Sequence, residues 1–389
     1  MYRVLCDGKI LHDIRDPSYV LVSPKLTLEL NKTGSFTFTI LPTHPHANDI
    51  KRMISRIEVY EGDELLYVGR STTDEEDFQL TGQATCEGDL AYLLDSIQEK
   101  HSYGSQSAEI NTADTNVKIF PKLIEMHNIQ VGAEKRFTCG QIDIDEEDVK
   151  LLSTNFERTW DFIDSNFLQK YTGYLRTRHD KNFNYIDYVK QYGRVSDQTI
   201  RFGENLLDIQ KYVQTEDVRT AILPMGANGV TVKTATGHDG TDYVRDQEAI
   251  DTYGWIAEKV DFSDINSPDE LLKEAKKYLA KHSKPTVSIE LTALDLHMLD
   301  ADISAFRLGD LVPVISDLHR ISSTIGDVST YYPISKYELD LENPANSKIT
   351  LGATRPTLSS QMTFGFSSGR SDAVDIKELT QEDIDEICI

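Results

Sequence analysis

The chain has 389 residues, more than one hydrophobic core usually serves, so two to four domains are expected. With 64 acidic and 40 basic side chains, the formal net charge is −24 and the pI is near 4.8, which argues against a protein that grips DNA or anionic lipid. No apolar run reaches the roughly 18 residues of a membrane span, and the N-terminus has no signal-peptide pattern. We therefore expect a protein that is made in the cytoplasm and has no membrane anchor.

The first hundred residues are predicted to form antiparallel strands. LTLELNKTGSFTFTIL alternates apolar and polar side chains on both sides of a turn at residues 31–34, which predicts a hairpin with one solvated face. RIEVYEGDELLYVGR repeats this pattern around a turn at residues 61–63. GDLAYLLDSI then changes to helical spacing. Residues 1–104 are therefore expected to form a first small antiparallel β-barrel or sandwich, closed by a helix.

The next hundred residues predict a mixed domain, residues 105–200. TNVKIFPKLIEMHN and RTWDFIDSNFLQKY carry apolar residues at helical spacing, with Pro121 at a first turn or a kink. GYLRTRH and FNYIDYV read as strands after them. We expect an α/β domain here.

The last part of the chain predicts a second barrel with an insertion. A helix is expected after Ser267, with Pro268 in its first turn and Glu270 completing a capping box, and it should end before Pro285. Strands are expected before and after it. The predicted limits are residues 201–240 and 306–353 for the second β-barrel, 241–305 for an α/β insertion, and 354–389 for a linker and short helix.

The stretch LPTHPHANDI, residues 41–50, has the one pattern that suggests a metal site. His44 and His46 at i, i+2 could bind zinc together with a third ligand. Zinc peptidases of the lysostaphin type pair HxxxD with a distant HxH, and neither His46 nor His44 has the required spacing to Asp49. The alternative is a proline-containing turn in which Asn48 or Asp49 caps the following segment. We favour the turn.

Other chemical motifs are weak. TDEEDF and DIDEEDV lack the order of a calcium-binding loop, and GxSxG, HExxH, Walker A and GxGxxG motifs do not occur. Cys139 could pair with His127 or His179 as a reactive thiol, but a buried structural cysteine is the expected state. The cysteines lack zinc spacing and are expected to be reduced; they are Cys6, Cys86, Cys139 and Cys388. Trp160 and Trp255 are expected to anchor a core or an interface.

Two stretches in the middle of the chain resemble a known family. RTWDFIDSNFLQKYTGYLRTRHDKNFNYIDYV and QTIRFGENLLDIQKYVQTEDVRTAILPMGA are similar to the tail-associated (Tal) proteins of siphophages and prophages of Gram-positive bacteria, a family also labelled prophage tail endopeptidase. LELNKTGSFTFTILPTHPHANDI resembles that family's N-terminal barrel, and ELDLENPANSKITLG its closing strands. The resemblance covers residues 1–355.

The resemblance implies a mixed β and α+β fold shared with phage baseplate hubs: two tail-tube-like antiparallel β-barrels with α/β insertions. Three copies would form a ring at the tail tip or baseplate of the virion, with barrel strands at the contacts between subunits. The implied partners are the chain itself as a homotrimer, the distal tail protein hexamer, the tape measure protein and receptor-binding or tail fibre proteins. DNA would pass through without specific binding.

The functional expectation is a structural hub that closes the tail tube and anchors downstream host-binding or wall-degrading parts. The alternative is a cell-wall (peptidoglycan) endopeptidase. Because longer family members carry wall-degrading activity in separate C-terminal domains, this chain is not expected to be an enzyme, and we assign it no catalytic, cofactor-binding or metal-binding residue. A third reading is a carbohydrate-binding module, with TYYPISKY and NFNYIDYV as its aromatic candidates.

Overall fold

The computed structural model describes residues 1–352 except 77–81, 104–114, 148, 150–151, 172, 181–182, 263–264, 294, 299–302 and 320. The chain divides into two units, Met1–Thr354 and Arg355–Ile389. The predicted linker and terminal helix, residues 354–389, lie outside the described residues. None of the described helices has the length and apolar character that crossing a membrane requires.

The N-terminal region is made of strands, and their order confirms the predicted hairpins. The strands are β1 Tyr2–Cys6, β2 Lys9–Asp13, β3 Val22–Glu29, β4 Ser35–Ile40, β5 Arg56–Glu61, β6 Glu64–Glu76 and β7 Gly82–Gly88. Strands β3 and β4 pair antiparallel with Leu26 opposite Phe36, and β5 pairs with β6 across the turn at Gly62 and Asp63. The helical spacing of GDLAYLLDSI produces only a 3₁₀ segment, Asp89–Asp95.

The middle region mixes helices with short strands, as predicted. Its elements are β8 His101–Tyr103, α1 Asn116–Gln130, β9 Phe137–Asp143, β10 Leu152–Thr154, α2 Thr159–Ile163, β11 Tyr174–His179 and β12 Asn184–Val189. Pro121 lies inside α1 rather than in its first turn. A π-helical turn, Asp164–Leu168, continues α2. A second core is built around Phe120, Phe167 and Tyr188, which are fully buried.

The C-terminal region returns to strands around one long helix. Its elements are β13 Ile200–Arg201, β14 Leu206–Gln214, β15 Ala221–Gly226, β16 Val244–Arg245, α3 Gln247–Tyr253, β17 Ala257–Phe262, α4 Pro268–His282, β18 Thr286–Ala293, β19 Leu311–Val312, β20 Val314–Ser316, β21 Ile321–Ser322, β22 Tyr332–Asp340 and β23 Lys348–Gly352. A third, small core packs α4 on the sheet β16-β15-β17.

Helix α4 begins and ends where the sequence predicts, but its capping differs. Ser267 is the N-cap residue and Pro268 opens the helix, yet the Ser267 side chain makes no capping hydrogen bond. The expected capping box is therefore wrong for Ser267, whose side chain does not bind a backbone N–H of the first turn. The position of Pro268, which has no N–H to satisfy in the first turn, and the apolar face formed by Leu271, Leu272 and Leu279 remain sufficient to define the helix.

One twelve-stranded sheet joins the N-terminal and C-terminal strand regions. Its strand order is β14-β18-β23-β22-β3-β4-β7-β6-β5-β1-β2, with β19 also paired to β22. The junction is the antiparallel pair β22–β3, in which Leu339 lies opposite Leu26. The fold is thus mostly β, with a curled sheet and few helices. The finer expectation of two separate barrels, and the domain limits expected from the sequence, remain predictions.

The curled sheet has one apolar and one polar face, because its strands alternate side chains. The apolar face forms the first core, in which the ring centroids of Phe36 and Phe38 on β4 lie 5.2 Å apart. Residues opposite one another on the apolar face include Leu26, Phe36, Ile289, Leu291, Tyr337, Leu339, Ile349 and Leu351. The neighbouring positions Ser35, Thr37 and Thr39 lie on the other face and are half-buried.

Gly88 ends β7 where there is no room for a side chain. A Cβ at this position would lie 1.8 Å from the carbonyl oxygen of Thr33. We predict that Gly88→Ala separates the tip of the β3–β4 hairpin from β7 and lowers the free energy of unfolding by about 1–3 kcal/mol. A matched control is Gly82→Ala in the same strand, whose nearest contact is an Ile40 methyl group at 3.2 Å. Urea midpoints of the two variants measure the difference, and equal midpoints would contradict the prediction.

Candidate functional site

The histidines of residues 41–50 bind backbone groups. The Nε2 atom of His44 lies 2.9 Å from the carbonyl oxygen of Leu11, and the backbone N–H of His46 donates to the Nδ1 atom of His44 at 3.1 Å. A carbonyl oxygen can only accept a hydrogen bond, so the Nε2 atom of His44 is the donor and carries the proton. Both ring nitrogens of His44 are therefore engaged in fixing the loop against strand β2. The turn that the sequence favoured is the observed structure.

The expected capping of the following segment by Asn48 or Asp49 is wrong. Residues 51–55 form turns rather than a helix. The Asp49 carboxylate instead accepts from Lys9 Nζ at 2.7 Å and lies 2.8 Å from His46 Nδ1. These contacts tie the loop to β2 a second time, and Lys9 and His46 hold the pKa of Asp49 below its usual value. Among the residues that the structure describes, no group of three His, Cys, Asp or Glu side chains is placed to hold a metal ion.

The proposed thiol pairs do not form. Cys139 lies on β9 opposite Ile186 of β12, and burial raises the pKa of its thiol to about 11. His127 is fully buried, with Nδ1 2.7 Å from the Ser96 hydroxyl and Nε2 3.0 Å from the Lys135 carbonyl oxygen. A protonated thiol and a histidine held at both nitrogens lack the features of a nucleophile and its base.

His179 links the sheet to the middle region. Its Nδ1 atom lies 2.9 Å from the Asn184 side-chain oxygen. Its Nε2 atom lies 2.8 Å from Asp89 Oδ2, which is within ion-pair distance, but the geometry is not that of a hydrogen bond. Asp89 also accepts from the Thr177 hydroxyl at 3.0 Å. His179 thus has both ring nitrogens engaged, and the three side chains of β11 and the 3₁₀ segment act as a structural link.

The aromatic candidates for sugar binding divide into buried and exposed residues: Phe183 is 53 % exposed, and its ring centroid lies 6.1 Å from that of Tyr185. Tyr188 is fully buried in the second core, and Tyr337 is 6 % exposed in the first. An exposed ring pair occurs elsewhere, at Tyr243 and Trp255, whose ring centroids are 5.5 Å apart. Trp255 therefore faces solvent, whereas Trp160 packs against the second core as expected.

One end of the curled sheet is an open, apolar edge. Strand β14 pairs with β18 along its whole length, and no strand among the described residues pairs along its other side apart from a single bridge between Phe202 and Leu206. Its exposed side chains include Leu207 at 60 % and Val213 at 46 %, and the nearby Phe202 is 55 % exposed. A long, exposed apolar edge strand is a template for pairing with another chain. Sequence alternation predicted this strand but could not place it at an edge.

Strand β6, which β5 and β1 separate from the β2 edge of the sheet, has a second open segment. Strand β6 is longer than its neighbour β5: β5 pairs with β6 only as far as Arg70, whereas β7 pairs with β6 as far as Glu76. Beyond Arg70, the side of β6 that faces β5 is therefore unpaired among the described strands. Beside this segment the N–H of Met53 donates to the Ser71 carbonyl oxygen at 2.7 Å, and Ile54 is 74 % exposed. Met53 has a φ of 61°, a left-handed conformation that non-glycine residues rarely adopt. The two open regions, strand β14 and this segment of β6, therefore differ in composition and shape.

The polar face between these two open regions is rich in hydroxyl groups and carboxylates. Thr37 lies opposite Thr85, and Ser35 lies opposite Thr27. Lys336 pairs with Glu338 at 2.9 Å, and Lys348 with Glu290 at 3.4 Å, so these lysines are neutralised by carboxylates on the same face. Further carboxylates on this face are Glu29, Glu87, Asp208 and Asp340. A polyanion would find little to hold it here.

Comparisons with known proteins agree with this architecture. Residues 194–362 match the family described as prophage endopeptidase tail. The fold is similar to that of prophage tail protein gp18 from Listeria monocytogenes EGD-e, with a TM-score of 0.56 and 15% sequence identity over 93% of this chain and 97% of that chain. It is also similar to that of the 43 kDa tail protein of prophage MuSo2 from Shewanella oneidensis, with a TM-score of 0.61 and 11% identity over 91% of this chain and 98% of that chain. A tail protein from Neisseria meningitidis MC58 has a similar fold too, with a TM-score of 0.58 and 14% identity over 90% of this chain and 96% of that chain. No curated protein matches the chain.

Proposed function

Because this chain is a relative of prophage tail proteins, with a family region at residues 194–362 and a shared fold, we propose that it is a structural subunit of a phage tail. It assembles as a homotrimeric hub at the tail tip or baseplate. The hub closes the tail tube below the distal tail protein and anchors host-binding or wall-degrading parts. It performs this task without catalysis.

The observation that carries the proposal is the single curled sheet with two unlike open segments, strand β14 and the far half of β6. Strand β14 and the far half of β6 lie at opposite ends of the run β14-β18-β23-β22-β3-β4-β7-β6. An interface that joins two different surfaces is heterologous, and it closes into a ring of three when successive subunits are rotated by one third of a turn. Pairing β14 of one subunit with β6 of the next would extend the sheet around that ring and bury the exposed apolar side chains at both ends.

The strand order also suits contact with a hexameric ring. The run contains four strands from the C-terminal half, β14, β18, β23 and β22, and four from the N-terminal half, β3, β4, β7 and β6. Three subunits would thus present six four-stranded segments. This matches the sixfold symmetry of a distal tail protein hexamer without requiring six chains.

The polar face of the sheet would line the channel. Its threonine and serine hydroxyls and its excess of carboxylates over lysines offer a passing DNA duplex weak and mainly repulsive contact. The formal charge of −24 for the whole chain has the same sign. The tape measure protein and receptor-binding or tail fibre proteins are the remaining partners that this position implies.

The first test is the mass of the purified protein in solution by light scattering, alone and with the distal tail protein. We expect a species of 132 kDa, three times the 44.0 kDa of one chain, or a trimer that forms when the hexamer is added. A monomer that stays monomeric in the presence of the hexamer would contradict the hub.

The second candidate function is a peptidoglycan endopeptidase, which the name of the matching family suggests. The described geometry gives it little support, because His127, His44 and His179 have both ring nitrogens engaged and the thiol of Cys139 is protonated. Incubating the purified protein with isolated cell walls, with and without added zinc, tests it. Release of soluble wall peptides would favour the peptidase over the hub.

A further inference from the structure

We propose that a cleft between strand β5 and the β11–β12 hairpin binds a neutral saccharide, with the ring of Phe183 against the sugar ring. This hairpin cleft has a volume of about 520 Å³, which lies within the range of small-molecule sites. The side of β5 that faces away from the first core forms one wall, and the hairpin forms the other. The wall residues are Arg56, Glu58, Tyr60, Asp180, Phe183 and Asn184. The inference does not depend on the proposed trimer.

Phe183 presents an apolar ring to the hairpin cleft. It is 53 % exposed, although phenylalanine is among the residue types most often buried. Its ring contacts that of Tyr185, with centroids 6.1 Å apart. Tyr185 is fixed in turn, because its hydroxyl donates to Asp180 at 3.1 Å and the Arg178 guanidinium lies 5.2 Å from its ring centroid. A supported, exposed ring can pack on the C–H face of a sugar with little loss of conformational entropy.

The carboxylates of the hairpin cleft already have donors. Glu58 accepts from Arg56 Nε at 2.7 Å and from the Tyr60 hydroxyl at 3.1 Å. Asp180 accepts the backbone N–H of Phe183 at 2.8 Å in addition to the Tyr185 hydroxyl. A carboxylate has about four lone-pair sites, so each retains capacity for a further hydrogen bond. With two carboxylates and one guanidinium in its walls, the hairpin cleft disfavours an anion and favours a ligand that donates through neutral hydroxyl groups.

Arg56 supplies donors to the same space. Its side chain is 33 % exposed, its Nη1 atom lies 3.4 Å from Asn184 Oδ1, and no described residue accepts from its Nη2 atom. The Asn184 side chain is held in place by its own donation to the Glu134 carbonyl oxygen at 3.0 Å. A sugar hydroxyl both donates and accepts, so it can join the Arg56 donor to the Glu58 or Asp180 acceptors. The hairpin cleft therefore combines one apolar ring with a few fixed polar groups, as small-molecule sites do.

The alternative is a gap between the sheet and the hairpin that holds only water. Water would satisfy the polar walls, because each carboxylate and guanidinium can bind it as well as it binds a hydroxyl. The Phe183 ring is what distinguishes the two cases, since an apolar surface gains free energy when it is removed from water. Ligands with and without an apolar face therefore separate a saccharide site from a water-filled gap.

Saturation-transfer NMR of the full chain tests the site with glucose, galactose and N-acetylglucosamine at about 50 mM, a concentration that fills a site with a millimolar Kd. We expect transfer to the ring protons of at least one of these sugars. Glycerol has hydroxyl groups but no ring face, and glucose 6-phosphate carries negative charge, so both should bind more weakly. Absence of transfer to all three sugars would overturn the proposal. So would glycerol binding as tightly as the best sugar.

Substitutions of Phe183 locate the site. Phe183→Ala removes the ring and should weaken binding of that sugar by about tenfold, whereas Phe183→Tyr keeps the ring and should bind like the unaltered protein. Phe156→Ala is the matched control, because Phe156 is 59 % exposed and does not line the hairpin cleft. Urea midpoints confirm that each variant is folded. Equal binding by Phe183→Ala and the unaltered protein would overturn the assignment.

A substitution of Arg56 tests the polar wall separately. Arg56→Lys keeps a positive charge beside Glu58 but loses the planar donors of the guanidinium. We expect the sugar to bind about threefold to tenfold more weakly, with the circular dichroism spectrum unchanged. Undiminished binding by this variant would overturn the role of Arg56 as a donor to the sugar.

Discussion

Placing carboxylates on strand β14 is expected to leave the protein monomeric. Leu207→Asp with Val213→Asp alters two exposed apolar side chains of the open edge, and neither belongs to the buried core. Between subunits, each new carboxylate would be desolvated without a partner, which weakens each contact by about 3–5 kcal/mol, or roughly 100-fold or more. Light scattering should then give 44.0 kDa. The folded monomer should keep its circular dichroism spectrum and its urea midpoint.

A head-to-tail ring makes a sharper prediction for mixtures. Ile54→Asp alters the exposed side chain beside the open segment of β6 and should also give monomers. Mixing it with the β14 variant leaves one intact surface on each molecule, so the mixture should form a dimer of twice 44.0 kDa that cannot close into a ring. If instead each contact paired the same surface of two subunits, mixing the two variants would not produce this dimer.

A control variant separates surface charge from edge pairing. Ile129 on α1 is 71 % exposed and lies away from both ends of the sheet, so Ile129→Asp should assemble like the unaltered protein. Trimers that survive the β14 substitutions would contradict pairing through this edge. Trimers lost in all three variants, including Ile129→Asp, would point to a general effect of added negative charge on a chain that already carries −24.

Local patterns in the sequence predict the strands and helices well. The hairpin β3–β4 follows from alternation over residues 26–40, and α4 follows from Ser267, Pro268 and the spacing of its leucines. Each of these elements is set by residues close together in the chain. The family resemblance extended this reading to the order of the regions.

Contacts between distant residues could not be read in the same way. The junction of the sheet joins Leu26 to Leu339, 313 positions apart, and alternation in either strand is compatible with many partners. GDLAYLLDSI was expected to close the barrel as a helix, but its Leu90 and Leu93 pack into the second core within a 3₁₀ segment. Its length and spacing did not reveal which core it would join.

The histidine loop illustrates the same limit for a site. Proline and short polar residues predicted a turn, whereas the partner of His44 is a carbonyl 33 positions earlier, on a strand whose edge only the folded sheet defines. The predicted cap at Asp49 failed for the same reason, because Lys9 lies within 2.7 Å in space and offers a stronger, charged partner. A turn can thus be predicted from local residues, but its function as an edge cover cannot.

Removing the carboxylate of Asp187 is expected to be the most destabilising single change outside the apolar cores. Asp187 is fully buried on β12 and accepts from Arg178 Nε at 2.6 Å, Arg176 Nη2 at 2.8 Å and the backbone N–H of Gln141 at 2.8 Å. One carboxylate therefore holds strands β9, β11 and β12 together. Asp187→Ala leaves two guanidinium groups facing each other, and we expect the free energy of unfolding to fall by about 3 kcal/mol. Urea denaturation near neutral pH measures this.

The pH dependence distinguishes the charge of Asp187 from its packing. Burial alone would raise the pKa of this carboxyl, but the hydrogen bonds from Arg178, Gln141 and Arg176 hold it below the ordinary value of about 3.9. Its stabilising contribution is therefore complete above about pH 4 and is lost as the pH falls through the folded-state pKa. The stability difference between the unaltered protein and Asp187→Ala should shrink on acidification. Asp161→Ala removes an exposed ion pair with Arg158 and should cost less than about 1 kcal/mol, so an equal cost for both variants would refute the central role of Asp187.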